Sequence, residues 1–131
     1  ASLNFVRKGI TDTLNVVDKS KVINGIPFYT RVWCTTADGN VSSFACGMAE
    51  ALGYLTDHNV IPQFVEDMGL NYGSYTSEKD GNFYEIWLQD ATAVEEEMKM
   101  IKEFDLAGVA EWKIGFESGS EIWDTIQSYL Q

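Results

Sequence analysis

Tyr29, Arg31 and Trp33 alternate within GIPFYTRVW, residues 25 to 33, a stretch holding three aromatic rings, a proline and an arginine. The chain has only nine basic residues against twenty acidic ones, so the position of Arg31 between two rings needs a reason. A guanidinium sealed in a core is costly unless it is paired. Ring faces flanking a forked hydrogen-bond donor suit a groove that holds something polar and flat-faced. The alternative is an ion pair: Arg31 would meet one of the twenty carboxylates and close a strand end.

Other residues that could do chemistry are sparse. Trp112 ends the apolar stretch AGVAEW, where a tryptophan most often fills a core. Glu111 beside it points to the opposite side of a strand and is a poor catalytic carboxylate. Asp90 enters a helix, where an acidic residue serves as a cap. His58 reads as a helix-end residue, and Trp87 and Trp123 read as core packing. Cys34 and Cys46 stand alone, without CxxC spacing or paired histidines, so the pattern predicts two buried free thiols and no structural zinc. No metal ligand set and no cofactor motif is visible.

Composition bounds the rest. A chain of 131 residues, 45% hydrophobic and 22% charged, suits one folded domain. A net charge of −11 repels phosphate backbones and anionic membranes, which argues against nucleic-acid and lipid-surface roles. No apolar run approaches the ~20 residues that span a bilayer. The opening ASLNFVRKG carries no signal-peptide pattern, although it could follow a cut.

Several elements must position these residues. Ser2 caps a helix whose stripe is Leu3, Val6, Ile10, Leu14 and Val17. KVINGIPF is a short strand, with Pro27 near its end. TTADGN is a loop, and Ala45, Met48, Leu52 and Leu55 mark a second helix ending near His58. Asp80-Gly81 predicts a hairpin between LNYGSYTS and NFYEIWLQ, within a small antiparallel sheet over residues 62 to 89. Thr92 and Glu95 form a capping box before the stripe Val94, Met98, Ile101 and Phe104. AGVAEW reads as a strand buried in a parallel sheet, and a last helix from Ser120 buries Ile122, Ile126 and Tyr129 or Leu130. Two parallel strands with crossover helices need neighbouring strands, so the chain reads as part of a larger sheet.

KVINGIPFYTRVW, the insertion ending YEIWLQD, and DLAGVAEWKIGFE together resemble the C-terminal part of family 18 glycoside hydrolases, above all the bacterial branch associated with cell walls and spores. The resemblance implies an α/β chain forming the C-terminal portion of a (β/α)₈ TIM barrel, from its sixth to its eighth helix. Residues 1–34 and 90–131 would be barrel, and 35–89 a small α+β insertion with an antiparallel sheet. Such a barrel takes about 250 residues, roughly twice this chain. The family string D-G-x-D-x-D-x-E, whose last glutamate is the general acid, is matched neither by DGNVSSFA nor by DGNFYEIW. No catalytic residue is therefore expected in this chain, which alone would be inactive.

The family cleaves polymers of N-acetylglucosamine, such as chitin or peptidoglycan, with the substrate's own acetamido oxygen as nucleophile. By that resemblance Trp112 forms the aromatic floor under the sugar, and Tyr29 and Arg31, with Trp33, line the cleft. Asp90 matches an acidic position of the family, Gln89 stands where relatives are commonly acidic, and Phe64 where they often have tryptophan. The implied partner is a polysaccharide with N-acetylglucosamine, and the parent protein would be secreted or associated with cell wall or spore. Two other readings remain open. One is a non-catalytic carbohydrate-binding module using the same side chains. The other is an assembly role, in which unpaired strand edges self-associate or meet a missing barrel half.

Overall fold

The computed structural model describes residues 1–130. Ser2 caps helix α1 (Leu3–Leu14), its hydroxyl accepting from the Phe5 N–H at 3.3 Å. The helix ends at Leu14, before the expected Val17, and buries only Ile10 of the predicted stripe. A 3₁₀ turn (Lys19–Lys21) capped by Asp18 leads into strand β1 (Ile23–Pro27).

β1 pairs in parallel with β7 (Gly108–Trp112), and the register sets Pro27 opposite Trp112 at the C-terminal ends of both strands. Helices α3 (Ala91–Glu103) and α4 (Glu121–Tyr129) cover this pair. Their shared core joins Ile26 and Phe28 to Val94, Met98, Ile101, Ile122 and Ile126, much as the apolar spacing predicts. Asp90, not the expected Thr92–Glu95 box, caps α3: its Oδ1 accepts from the Ala93 N–H at 3.1 Å. The helix starts one residue before Thr92, which leaves the threonine within the first turn and exposed.

Between β1 and α3 lies a separate five-stranded antiparallel sheet in the order β3-β2-β6-β5-β4. Its strands are β2 (Tyr29–Thr35), β3 (Val41–Gly47), β4 (Gln63–Val65), β5 (Leu70–Thr76) and β6 (Phe83–Leu88). The sheet is larger than sequence predicts in one direction. Residues 29–34, expected to belong with the barrel strand, form most of β2, and 41–47, whose last residues from Ala45 were expected as helix, form β3. β2 lies in the middle of the sheet because both of its edges pair, with β3 and with β6. Helix α2 (Met48–Asp57) consequently starts at Met48 and not at Ala45. The Asp80-Gly81 hairpin forms as expected, with Gly81 at φ 72° and the Ser77 N–H donating to the Asn82 carbonyl.

One face of this sheet packs on α2, burying Val32, Cys46, Ala51, Leu55, Ile86 and Leu88. Leu55 leaves no room beside Gly73, where an added Cβ would lie 2.7 Å from the leucine methyl. Among the described residues no hydrophobic core cluster forms on the opposite face, which is left uncovered. Cys34 and Cys46 are both free, Cys46 buried and Cys34 only half-buried; burial pushes the Cys46 thiol up to about 11. Two backbone hydrogen bonds stitch the end of β7 and the loop after it to the rest: Phe28 N–H to the Trp112 carbonyl at 2.7 Å, and Met48 N–H to the Phe116 carbonyl at 2.8 Å. Among the described residues no helix is long and apolar enough to cross a membrane.

Candidate functional site

In an antiparallel sheet directly paired residues share a face. The pairings Arg31 with Trp87, Trp33 with Glu85 and Tyr72 with Trp87 therefore place these side chains together on the uncovered face. Trp87 and Tyr72 pack ring against ring at 4.4 Å, tilted by 43°. Trp33 is 40% exposed, and the Arg31 guanidinium carbon lies 5.9 Å from its ring centre.

The ion-pair alternative for Arg31 is not what forms. No salt bridge among the described residues includes it. Its Nε and Nη2 donate to the Ser43 hydroxyl at 3.2 and 3.0 Å. That contact orients the fork and leaves the Nη1 donors free. A groove of about 240 Å³ results, lined by Tyr29, Arg31, Trp33, Trp87 and Gln89.

Trp112 lies next to this groove. It is 68% exposed at the end of β7, so it fills no core. Its hollow, about 470 Å³, is also lined by Glu111 and Ala110, and it shares Pro27 and Tyr29 with the Arg31 groove. The two hollows adjoin, with Tyr29 between the exposed indole and the guanidinium.

Asp90 is placed elsewhere. One oxygen caps α3, and the other accepts from the Asn71 side-chain amide at 2.8 Å. The groove lies on the far side of Gln89, and Asp90 lines a different small hollow with Met48 and Ser118. Both of its carboxylate oxygens are thus already engaged. His58 ends α2, as the sequence suggests, and stacks on Tyr75 at 3.7 Å. Trp123 meets Phe28 edge-on at 5.5 Å, in line with a packing role. Trp87 departs from its expected core role, because β6 turns it onto the uncovered face.

Behind the groove is a buried polar chain. Gln89, 4% exposed, donates its backbone N–H to the Thr30 hydroxyl oxygen at 2.9 Å. Its side-chain Nε2 donates to Glu97 Oε2 at 2.9 Å. Burial pushes the Glu97 carboxyl up to about 7, against downward pulls from the Gln89 amide and the Ala1 amino group. Sequence reading passed over Glu97, which sits in a run of three glutamates. Its spacing of three from Val94 and four from Ile101 was the available signal, since it puts Glu97 on the buried face. No group of three His, Cys, Asp or Glu among the described residues could hold a metal ion.

No family model matches the chain. It is similar to a glycosylase of Bacillus subtilis, YvbX, at 26% identity over 97% of the chain and 36% of that protein. In structure it superposes on the spore cortex-lytic enzyme SleL of Bacillus megaterium, with a TM-score of 0.85 and 23% identity over 98% of the chain and 30% of the enzyme. It superposes equally on a chitinase of Chromobacterium violaceum, with a TM-score of 0.86 and 17% identity over 99% of the chain and 39% of that enzyme. Its fold is one shared by chitinases and spore cortex-lytic enzymes. The chain spans about a third of the length of the curated relatives it matches.

Proposed function

We propose that this chain is the C-terminal portion of a family 18-like (β/α)₈ glycoside hydrolase acting on polymers of β-linked N-acetylglucosamine, chitin or peptidoglycan. In that reading α1 is the sixth barrel helix, β1 the seventh strand, α3 the seventh helix, and β7 and α4 the last strand and helix. The five-stranded sheet with α2 is the insertion and forms one wall of the cleft.

The observation that carries the reading is the exposed indole of Trp112 at the C-terminal end of a parallel strand, with Tyr29 and Arg31 beside it. A pyranose presents a C–H face that stacks on such a ring, while its hydroxyl and acetamido oxygens take the free Nη1 donors of Arg31. Trp33 and Trp87 extend the wall. Barrel active sites are built at this end of the strands. The general acid is supplied from outside these residues, because no carboxylate here stands in the spacing the family uses. Asp90 serves as a helix cap in this reading, and the parent protein works on cell wall or spore material.

Titrating the 131-residue chain with a hexamer of N-acetylglucosamine, followed by tryptophan fluorescence, tests this directly. Saturable quenching is expected, with Trp112→Ala weakening the affinity about tenfold or more and leaving the unfolding midpoint almost unchanged. No change at millimolar sugar would sink the reading. Hydrolysis of the hexamer by this chain alone would overturn the missing acid.

A further inference from the structure

Glu97 is a buried carboxyl, 5% exposed, whose side-chain hydrogen bond comes from a residue that lines the groove. An ionised carboxylate has no proton to give, so it can only accept. It therefore dictates which end of the Gln89 amide turns inward: Nε2 faces Glu97, and Oε1 is left for the groove. Among the described residues no donor takes Oε1, and since none of their buried side-chain oxygens or nitrogens lacks a partner, Oε1 is an atom open to the groove rather than a buried one.

We propose that Glu97 is a positioning residue, which locks the Gln89 amide so that its Oε1 accepts an N–H or O–H of the bound sugar, and that protonating Glu97 releases this lock. The sugar in this statement rests on the function proposed above; the coupling between the two side chains does not. A neutral carboxyl carries one O–H donor and keeps acceptor capacity, so it holds the amide in either orientation. The groove then presents an acceptor or a donor at Gln89, and selectivity for a sugar N–H or O–H at that point is lost. The raised carboxyl described above places this change near neutral pH.

The surroundings keep the switch simple. The space beside Glu97, between α1 and β1, is lined mostly by apolar residues with Thr13 and Asn24, and Ala1 and Tyr29 are the other residues there that carry titratable groups. On α1, Arg7 turns to Glu103 and Lys8 to Asp12. On α3, Glu96 pairs with Lys99, and Asp90 is held by Asn71 and the Ala93 N–H.

Nitrogen-15 NMR of the Gln89 side-chain amide from pH 5 to pH 9 tests the coupling without any sugar, with Gln89→Met assigning the signal. A shift with its midpoint near 7 is expected, absent in Glu97→Gln. An amide that does not titrate, or that titrates equally in Glu97→Gln, overturns the proposal. Titration with the N-acetylglucosamine hexamer tests the rest. Affinity is expected to be roughly three- to tenfold higher at pH 8.5 than at pH 5.5, and Glu97→Gln should remove that dependence. Gln89→Met, which keeps volume but lacks the carbonyl, should bind at both pH values as the native chain does at pH 5.5. A native chain whose amide titrates but which binds no hexamer fails on the function and keeps the coupling. Hexamer affinity equally pH-dependent in Glu97→Gln overturns the lock while the function stands.

Discussion

The five-stranded sheet with α2 and the parallel pair with its three helices solve the same packing problem to different degrees. The sheet closes its own core: Val32, Leu55 and Ile86 are fully buried between it and α2. The parallel pair has only two strands, and apolar residues around it stay in the open, Ile23 at 61% and Phe5 at 73% exposed. A self-sufficient wall stands beside a unit that lacks neighbours, and the candidate groove runs where they meet. The arrangement teaches that aromatic exposure has different meanings in the two regions. Around β1 it marks a two-stranded sheet with open edges, which the proposed barrel would extend, while on the uncovered sheet face it marks a surface that the same proposal leaves open.

The largest way to break this contrast is inside the sheet. Leu55→Ala should cost about 2–5 kcal/mol, measured by denaturant unfolding, and hydrogen exchange should then open β2, β5 and β6. In the native chain exchange should be slowest in those strands and fastest in α1 and β1. If α1 and β1 proved equally protected, the two-region description would fail.

Next in size is the pH response at the junction. Unfolded, a glutamate titrates near 4.5, and in the folded chain Glu97 titrates at about 7, so the folded state holds this proton more tightly. The stabilisation is complete below about 4.5 and is lost as pH rises through 7. Across that window it amounts to roughly 3 kcal/mol. Urea unfolding of the native chain and Glu97→Gln should therefore diverge as pH rises, with the variant relatively more stable at pH 8. Parallel pH curves would show that Glu97 is not isolated from solvent.

A smaller effect sharpens the boundary. Asp90→Ala removes the α3 cap and the partner of Asn71, which joins the sheet to the parallel unit, and should cost about 1 kcal/mol. Thr92→Ala should cost next to nothing, reversing the order that the sequence pattern suggests. Smallest of all is the exposed pair Arg7–Glu103 between α1 and α3. Arg7→Ala should leave the unfolding midpoint where it is, since exposed pairs contribute little.

Much of the frame was legible in the sequence, and the reasons are local. Ser2, the Asp80-Gly81 turn and the stripe Val94, Met98 and Ile101 each act over a few residues, so their patterns survive in any context. β3 was not legible, because VSSFACG alternates too weakly to read as a strand and is held in place by β2. The same pairing explains why residues 29–34, read from sequence with the parallel strand, join the five-stranded sheet: an isolated strand does not state which sheet it will join. At the site, Tyr29, Arg31 and Trp33 could be grouped from their alternation. Trp87 could not, since its face depends on the register between β6 and β2. Glu97 was hidden by its neighbours Glu95 and Glu96, although its helical phase places it inward.

The hydrogen bond from Met48 to Phe116 gives the sheet a third point of attachment, after its entry at Phe28 and its exit at Gln89. With the Asn71–Asp90 contact, these attachments brace the sheet against the parallel unit at more than its two chain crossings. Two of them, Phe28 to Trp112 and Met48 to Phe116, run through backbone and tie the end of β7, where Trp112 sits, to the sheet with α2. Excising the sheet at its two chain crossings would therefore also strip the loop after β7 of its Met48 partner, and loosen the segment that follows Trp112.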